Sequence, residues 1–164
     1  MTRTTMVLSG AALVMLATFV PAAAQERSEA VPAAEGSCKT TETDYATRTD
    51  EIKASGSNDI VPGSAVTFRQ ATAGCVIVTF SAESNVGPSA TLRVRPLLDN
   101  KASCQPGAPH VFWSSDDVRF FGVRSFTWIC ENVSAGRHKV KIQFHREGSG
   151  PAKLFFRSVT VEHN

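Results

Sequence analysis

The stretch that decides the fold runs from residue 137 to residue 145 and reads R-H-K-V-K-I-Q-F-H. Its side chains alternate between two classes with the period of two that is typical of a β-strand, not with the 3.6-residue period of a helix. One face carries His138, Val140, Ile142 and Phe144, and the other carries Arg137, Lys139, Lys141, Gln143 and His145. The stretch therefore predicts a strand with one dry face and one basic face.

Similar short patterns occupy most of the chain after residue 60 and are separated by turns rich in Gly, Pro, Asn and Ser. The predicted strands are residues 66–69, 75–82, 91–98, 110–113, 119–130, 137–145 and 153–161, with one further edge strand within the polar segment 39–59. The turn at residues 148–151 predicts that the last two strands pair as a hairpin. No segment shows sustained helical periodicity.

One-sided strands must bury their apolar faces against a second sheet. The predicted fold is therefore all-β: a single antiparallel β-sandwich of roughly seven to eight strands, with a jelly-roll or an Ig-like strand order.

Four segments carry a resemblance to a known family. They read G-C-V-I-V-T-F-S-A-E from residue 74, L-R-V-R-P-L-L-D from 92, S-F-T-W-I-C-E-N-V from 125 and A-G-R-H-K-V-K-I-Q-F from 135. Together they resemble a small exported bacterial β-sandwich family of unassigned function, over about residues 64–161. The resemblance implies a fold and export, and it carries over no catalytic residue. Cys38 falls outside the pattern.

The N-terminal residues predict export. Arg3 precedes an apolar run over residues 6–20, and three alanines stand before Gln25, which is the pattern of a cleaved signal peptide at 1–24. Residues 25–37 predict a flexible leader, and 38–164 the β-sandwich domain. An uncleaved anchor is the alternative, but no stop-transfer pattern follows. We therefore expect a secreted or periplasmic bacterial protein with no transmembrane anchor in the mature chain.

The charge is nearly balanced over the whole chain but uneven along it. Of the 164 residues, 17 are Lys or Arg and 15 are Asp or Glu, a net charge of +2 that argues against nucleic acid as a partner. From Arg119 onward, eight Lys and Arg stand against only Glu131, Glu147 and Glu162. This asymmetry indicates either a surface that attracts anions or solvated strand faces.

Four cysteines in an exported chain predict two disulfides. Of the three connectivities that four cysteines allow, sequential pairing is preferred here, Cys38 with Cys75 and Cys104 with Cys130, because each bond then ties a loop or terminal segment to a strand end. Spacing alone does not decide between the three. The cysteines lack the C-x-x-C spacing of a zinc site, so no metal is expected.

The preferred functional interpretation is an exported binding or envelope-associated protein that recognises an anionic glycan or surface polymer. Two aromatic residues in a loop-rich region and four cations on strands are the candidate ligand-binding residues: Trp113, Phe121, Arg93, Arg95, Lys139 and Lys141. The competing interpretation is that the aromatics fill the end of the sandwich and the charges are only solvated. A further alternative is a structural module that binds another exported protein through the aromatics.

Catalysis is the remaining alternative, in the form of a polysaccharide-acting enzyme that uses loop carboxylates. The candidate carboxylates are Glu83, Asp99, Asp116 and Glu131, and nothing in the sequence pairs them. The histidines are His110, His138, His145 and His163, and no catalytic or metal-binding motif accompanies them. We therefore predict no catalytic residue, no metal and no cofactor.

Overall fold

The computed structural model describes residues 37–56, 58–106, 111–114 and 121–164, with only the backbone for 111–114. Among these residues all regular secondary structure is β, as predicted. The strands are β1 (Glu42–Arg48), β2 (Ile52–Lys53), β3 (Asp59–Ile60), β4 (Val66–Gln70), β5 (Gly74–Val86), β6 (Ala90–Leu98), β7 (Val111–Ser114), β8 (Gly122–Val133), β9 (Gly136–Gly148) and β10 (Ala152–His163). The predicted signal peptide at 1–24 and nearly all of the leader at 25–37 lie outside the described residues.

The strands form two antiparallel sheets. Sheet 1 has the order β1-β10-β5-β8, with β2 also paired to β10. Sheet 2 has the order β3-β9-β6-β7, with β4 also paired to β9. The first and last strands of the domain are neighbours, and most successive long strands lie in opposite sheets, which is the jelly-roll order. The structure thus selects the jelly roll over the Ig-like alternative.

The predicted hairpin between the last two strands is wrong. β9 lies in sheet 2 and β10 lies in sheet 1, where β10 pairs with β1, β2 and β5. The alternation of side chains shows which face of a strand is dry, but it does not show whether a short turn joins neighbours in one sheet or crosses to the other sheet. At this turn the chain crosses, because the two dry faces cover each other.

The crossing turns depend on close backbone packing at one end of the sandwich. The turn after β9 meets the turn after β5, where the Gly87 amide donates to the Pro151 carbonyl at 2.8 Å. Gly148 has a φ of +83°, and a Cβ at this position would lie 2.0 Å from the Ser89 carbonyl oxygen. Only glycine fits at this position, because it adopts a positive φ without strain and has no Cβ to collide with the Ser89 carbonyl.

The dry faces of both sheets meet in one core. Its largest fully buried side chains include Trp128 of β8, Phe80 of β5, Leu92 of β6, Ile142 of β9 and Leu154 of β10. Each comes from the inward side of the period-two pattern. Their neighbours along the strands face solvent, so each sheet presents an outer face whose chemistry is independent of the core.

Both predicted disulfides are present: Cys38 is bonded to Cys75, and Cys104 to Cys130. The second bond holds the loop after β6 against the outer edge of β8, where the backbones of Gln105 and Ile129 exchange hydrogen bonds of 2.7 and 2.8 Å. That loop covers part of an edge that would otherwise expose unpaired backbone groups. No helix in the described part of the chain is long and apolar enough to cross a membrane.

Truncating an inward side chain is expected to destabilise the domain far more than truncating its outward neighbour. Phe80 is fully buried, so Phe80→Ala should cost about 3–5 kcal/mol in the free energy of unfolding. Thr79 points outward, so Thr79→Ala should cost less than about 1 kcal/mol. Urea-induced unfolding followed by tryptophan fluorescence measures both, and equal costs would contradict the assignment of the two faces.

Candidate functional site

The outer face of sheet 2 gathers the cations that the sequence spreads over three strands. We call this surface the basic face and define it by the outward side chains of Arg69 on β4, Arg93 and Arg95 on β6, and Arg137, Lys139 and Lys141 on β9. Among the outward positions of β4, β6 and β9, the only carboxylate is Glu147. All four predicted ligand-binding cations therefore share one surface.

One ion pair and two hydrogen bonds hold three of these cations in place. Arg93 Nε lies 2.9 Å from Glu147 Oε1, and Arg95 Nε donates to Gln143 Oε1 at 2.7 Å. Lys141 Nζ donates to Asn100 Oδ1 at 3.0 Å. Each partner engages only part of the donor capacity of its cation, because a guanidinium has five N–H groups and an ammonium has three.

The two aromatic candidates do not both fall on described surface. The side chain of Trp113 lies outside the described residues. Phe121 is 57% exposed, and its ring packs edge-to-face against Phe155 at a centroid distance of 5.2 Å. Phe155 belongs to the outer face of sheet 1, so Phe121 lies on the opposite side of the sandwich from the basic face.

The sequence could have shown a second feature of the outer face of sheet 1. Serine and threonine occupy alternate outward positions on three of its strands, at residues 79 and 81, 125 and 127, and 158 and 160. Cross-strand hydrogen bonds join Thr79 to Thr127 at 2.9 Å and Ser81 to Ser125 at 2.7 Å. The apolar positions of these alternations were enough to predict the strands, and the hydroxyl positions between them mark the outer face.

His138 lies on the inward side of β9, where its ring packs against Phe68. Its Nδ1 lies 2.7 Å from Asp99 Oδ2 and its Nε2 lies 2.8 Å from the Ser134 carbonyl. Both partners are acceptors, so only an imidazolium, which donates from both nitrogens, satisfies both contacts. The hydrogen bond to Asp99 raises the pKa of His138, burial opposes the rise, and the Ser134 carbonyl adds to it.

Asp99 is held at the end of β6 by the same contacts. Burial raises the pKa of Asp99, but the hydrogen bonds from His138 and from the Lys139 amide, together with the charges of His138 and Lys101, hold the pKa below its usual value. The Asp99–His138 pair thus joins the end of β6 to the start of β9. Both partners are engaged in this link, so its geometry is that of a structural ion pair.

The other histidines lie apart from this pair. His145 faces outward opposite Arg93 on the basic face. His163 is 1% exposed, with Nε2 at 3.1 Å from Asp44 Oδ2 and its ring at 4.9 Å from that of Phe68. His110 lies outside the described residues. Within the described ranges, no three or more His, Cys, Asp or Glu side chains are grouped so that they could hold a metal ion.

Among the candidate carboxylates that the structure describes, Glu83 and Glu131 lie far apart on sheet 1. Glu83 faces Val123 across sheet 1, whereas Glu131 stands farther along β8, about 27 Å of extended strand from Val123. Asp99 belongs to sheet 2 and is paired with His138. Asp116 lies outside the described residues. A glycoside hydrolase needs its two carboxyl groups within about 10 Å of each other, and the separation of Glu83 and Glu131 along sheet 1 does not meet that demand.

Two clefts, of about 360 and 380 Å³, open on described surface at the margins of the sandwich. The first lies where β1 approaches β4, with Glu42 and Asp44 on one side and Arg69 and Arg137 on the other. The second lies beside the turn after β9 and is lined by Lys53, Arg146 and Lys153 among others. The first cleft continues the basic face to the edge of sheet 2.

Comparison with known proteins gives similarity in solved structures only. No protein-family model matches the chain, and no curated protein matches it. A carbohydrate-binding module of Cellvibrio mixtus lichenase 5A, in complex with cellotriose, is similar with a TM-score of 0.35 and 14% identity, covering 77% of this chain and 90% of that one.

Two further structures are similar at the same level. One is the CBM36-1 domain of a multidomain xylanase from the hindgut metagenome of Trinervitermes trinervoides, with a TM-score of 0.38 and 11% identity, covering 72% of this chain and 96% of that one. The other is the xylan-binding module CBM15, with a TM-score of 0.33 and 14% identity, covering 73% and 90%. At these scores the similarity assigns no ligand to the chain.

The ion pair of His138 predicts a pH-dependent contribution to stability. Because its pKa is raised in the folded state, the contribution is full below about pH 6.5, the usual pKa of an unfolded histidine, and is lost as the pH rises through the folded-state pKa. Between about pH 5.5 and pH 8.5, the loss of this ion pair lowers the unfolding free energy of the wild-type protein as the pH rises. The His138→Gln variant lacks this contribution, so its unfolding free energy should fall less over the same range than that of the wild type. Urea titrations of both proteins at the two pH values measure it, and an equal fall in the two proteins would contradict the imidazolium assignment.

Proposed function

We propose that this protein is an exported binding module that recognises an anionic glycan or surface polymer through the basic face. The observation that carries the proposal is the concentration of six cations and one carboxylate on the outward positions of three neighbouring strands, in a chain whose total net charge is only +2. A surface that carries charge of one sign raises the local concentration of ions of the opposite charge and steers their approach.

The arrangement of the cations suits an extended ligand better than a single small anion. Arg137, Lys139 and Lys141 follow one another on β9 at alternate positions, so they are spaced about 6.8 Å apart along the strand. Arg93 and Arg95 extend the charge onto β6, which pairs directly with β9. A chain of regularly spaced carboxylates or sulfates would contact several of these cations at once, whereas a small anion would reach one or two.

Export is the second part of the proposal. Two disulfides are typical of proteins that mature in an oxidising compartment. The predicted signal peptide at 1–24 supplies the route, and an outer-membrane or cell-wall polymer with acidic groups is then the class of ligand that the mature protein meets. Secreted and periplasmic locations both fit this proposal.

Reversing two charges on the basic face should abolish most of the binding to a polyanion. Lys139→Glu with Lys141→Glu changes the local charge from +2 to −2 at these positions, so we expect about tenfold or greater loss of affinity for polygalacturonate. Affinity electrophoresis in gels containing polygalacturonate, with dextran as the neutral comparison, measures the loss. Raising the salt from about 0.05 to 0.3 M should weaken wild-type binding as well.

The matched control carries the same change of total charge elsewhere. Lys39 and Lys53 are exposed and lie outside the basic face, so Lys39→Glu with Lys53→Glu should retain binding close to that of the wild type. Equal losses in the two double variants would show that total charge, not the basic face, governs binding. Unchanged retardation of the Lys139 and Lys141 variant would contradict the proposal.

A further inference from the structure

The outer face of sheet 1 differs in kind from the basic face. Its strand registers align outward side chains of β1, β10, β5 and β8 into two neighbouring rows that carry a hydroxyl at every position. The first row is Tyr45, Thr160, Thr79 and Thr127, and the second is Thr47, Ser158, Ser81 and Ser125. We call these eight residues the hydroxyl face. Neighbouring hydroxyls are spaced about 4.8 Å across strands and about 6.8 Å along them.

Hydrogen bonds link four of the eight residues of the hydroxyl face in pairs. Thr79 and Thr127 are linked at 2.9 Å, and Ser81 donates to Ser125 at 2.7 Å. A hydroxyl donates one hydrogen bond and accepts up to two, so each linked pair can still bond to a ligand hydroxyl. Serine and threonine lose little side-chain entropy when they are fixed, in contrast to lysine and arginine.

Exposed apolar side chains are concentrated around the hydroxyl face. Six large apolar residues are exposed among those described, and five of them belong to sheet 1 or to the residue just before β8: Tyr45, Phe121, Val123, Ile129 and Phe156. Single exposed apolar residues are ordinary, but several on one face indicate an interaction surface. Apart from Tyr45, which also belongs to the first row, these residues are an observation independent of the hydroxyl rows.

A β-bulge in β10 builds part of this margin. The register of β10 against β5 shifts between Phe155 and Ser158, and Phe156 has a φ of +39° and is 63% exposed. Arg157 turns inward, where its Nη2 donates to Asp50 Oδ1 at 2.9 Å and its Nη1 donates to the Leu154 carbonyl at 3.3 Å. The buried guanidinium thus holds two successive phenylalanines, Phe155 and Phe156, on the solvent side of the strand.

The charge on this face decides the class of ligand. None of the eight positions of the hydroxyl face is an acid or a base, apart from the phenol of Tyr45, and the nearest outward ionisable neighbours in the paired strands are Glu83 and Glu162. An anionic polymer finds no cation among them and meets two carboxylates at the margin. A protein partner would need a continuous apolar centre, whereas here hydroxyls occupy the centre and apolar groups surround it.

We propose that the hydroxyl face, with its aromatic margin, is a second binding site, for an extended uncharged polysaccharide. A pyranose chain offers hydroxyls at its edges and C–H groups on its ring faces. The hydroxyls match the two rows, and the apolar ring faces match Phe121, Phe155 and Tyr45. This site lies on the opposite sheet from the basic face, so either site can fail without the other.

The test is adsorption to insoluble neutral polysaccharides, cellulose and chitin, at about 0.5 M NaCl, where screening suppresses binding through the basic face. Thr127→Lys places a charge in the centre of the hydroxyl face and should weaken adsorption about tenfold. Phe121→Ala should cause a similar loss through the aromatic margin. The matched control is Thr67→Lys, the same substitution at an exposed threonine of β4 on the other sheet, which should adsorb like the wild type.

The outcomes separate cleanly. Loss in Thr127→Lys and Phe121→Ala with retention in Thr67→Lys supports the second site. The proposal is overturned if the wild-type protein adsorbs to neither cellulose nor chitin. It is also overturned if all four proteins adsorb equally, or if Thr67→Lys loses as much adsorption as Thr127→Lys. Phe121 is largely exposed, so its variant tests the site even where Thr127→Lys disturbs folding, which circular dichroism reports.

Discussion

The structure depends on one constraint: each long strand has a single dry face, and that face must be covered by the opposite sheet. Trp128 and Phe80 from sheet 1 meet Leu92 and Ile142 from sheet 2, and all four are excluded from water. Because side chains alternate strictly along a strand, this requirement also fixes which residues face solvent. A shift of one residue in register would bury the lysines of β9 and expose its valine and isoleucine. The outer faces are therefore as strongly specified as the core.

This constraint explains what the sequence could predict. Alternation at residues 137–145 was sufficient to assign the dry and basic sides of β9. Similar patterns predicted the β-sandwich, whereas the shared location of Arg93, Arg95, Lys139 and Lys141 depends on the pairing of β6 with β9. Strand pairing was harder to predict because polarity does not distinguish a hairpin from a turn that crosses between sheets. That distinction rests on tertiary contacts, such as the approach of Gly148 to the Ser89 carbonyl. The bulge before Arg157 likewise depends on Asp50, which is distant in sequence.

The two sheets use their free faces differently. Sheet 2 presents cations fixed by neutral or acidic neighbours, and sheet 1 presents hydroxyls surrounded by aromatic and aliphatic side chains. A sandwich with a polyanion on one face and a neutral chain on the other would connect two kinds of polymer without any motion between domains. The two disulfides and the Asp99–His138 pair tie loops and the N-terminal segment to the strands.

The central claim is that recognition takes place on the flat outer faces, with one chemistry on each. The most direct measurement is a two-dimensional amide NMR titration of the protein, first with oligogalacturonate and then with a soluble neutral oligosaccharide. The account predicts shifts confined to β4, β6 and β9 for the acidic ligand and to β1, β5, β8 and β10 for the neutral one. Shifts from both ligands on the same face, or shifts confined to the turns at the ends of the sandwich, would contradict it.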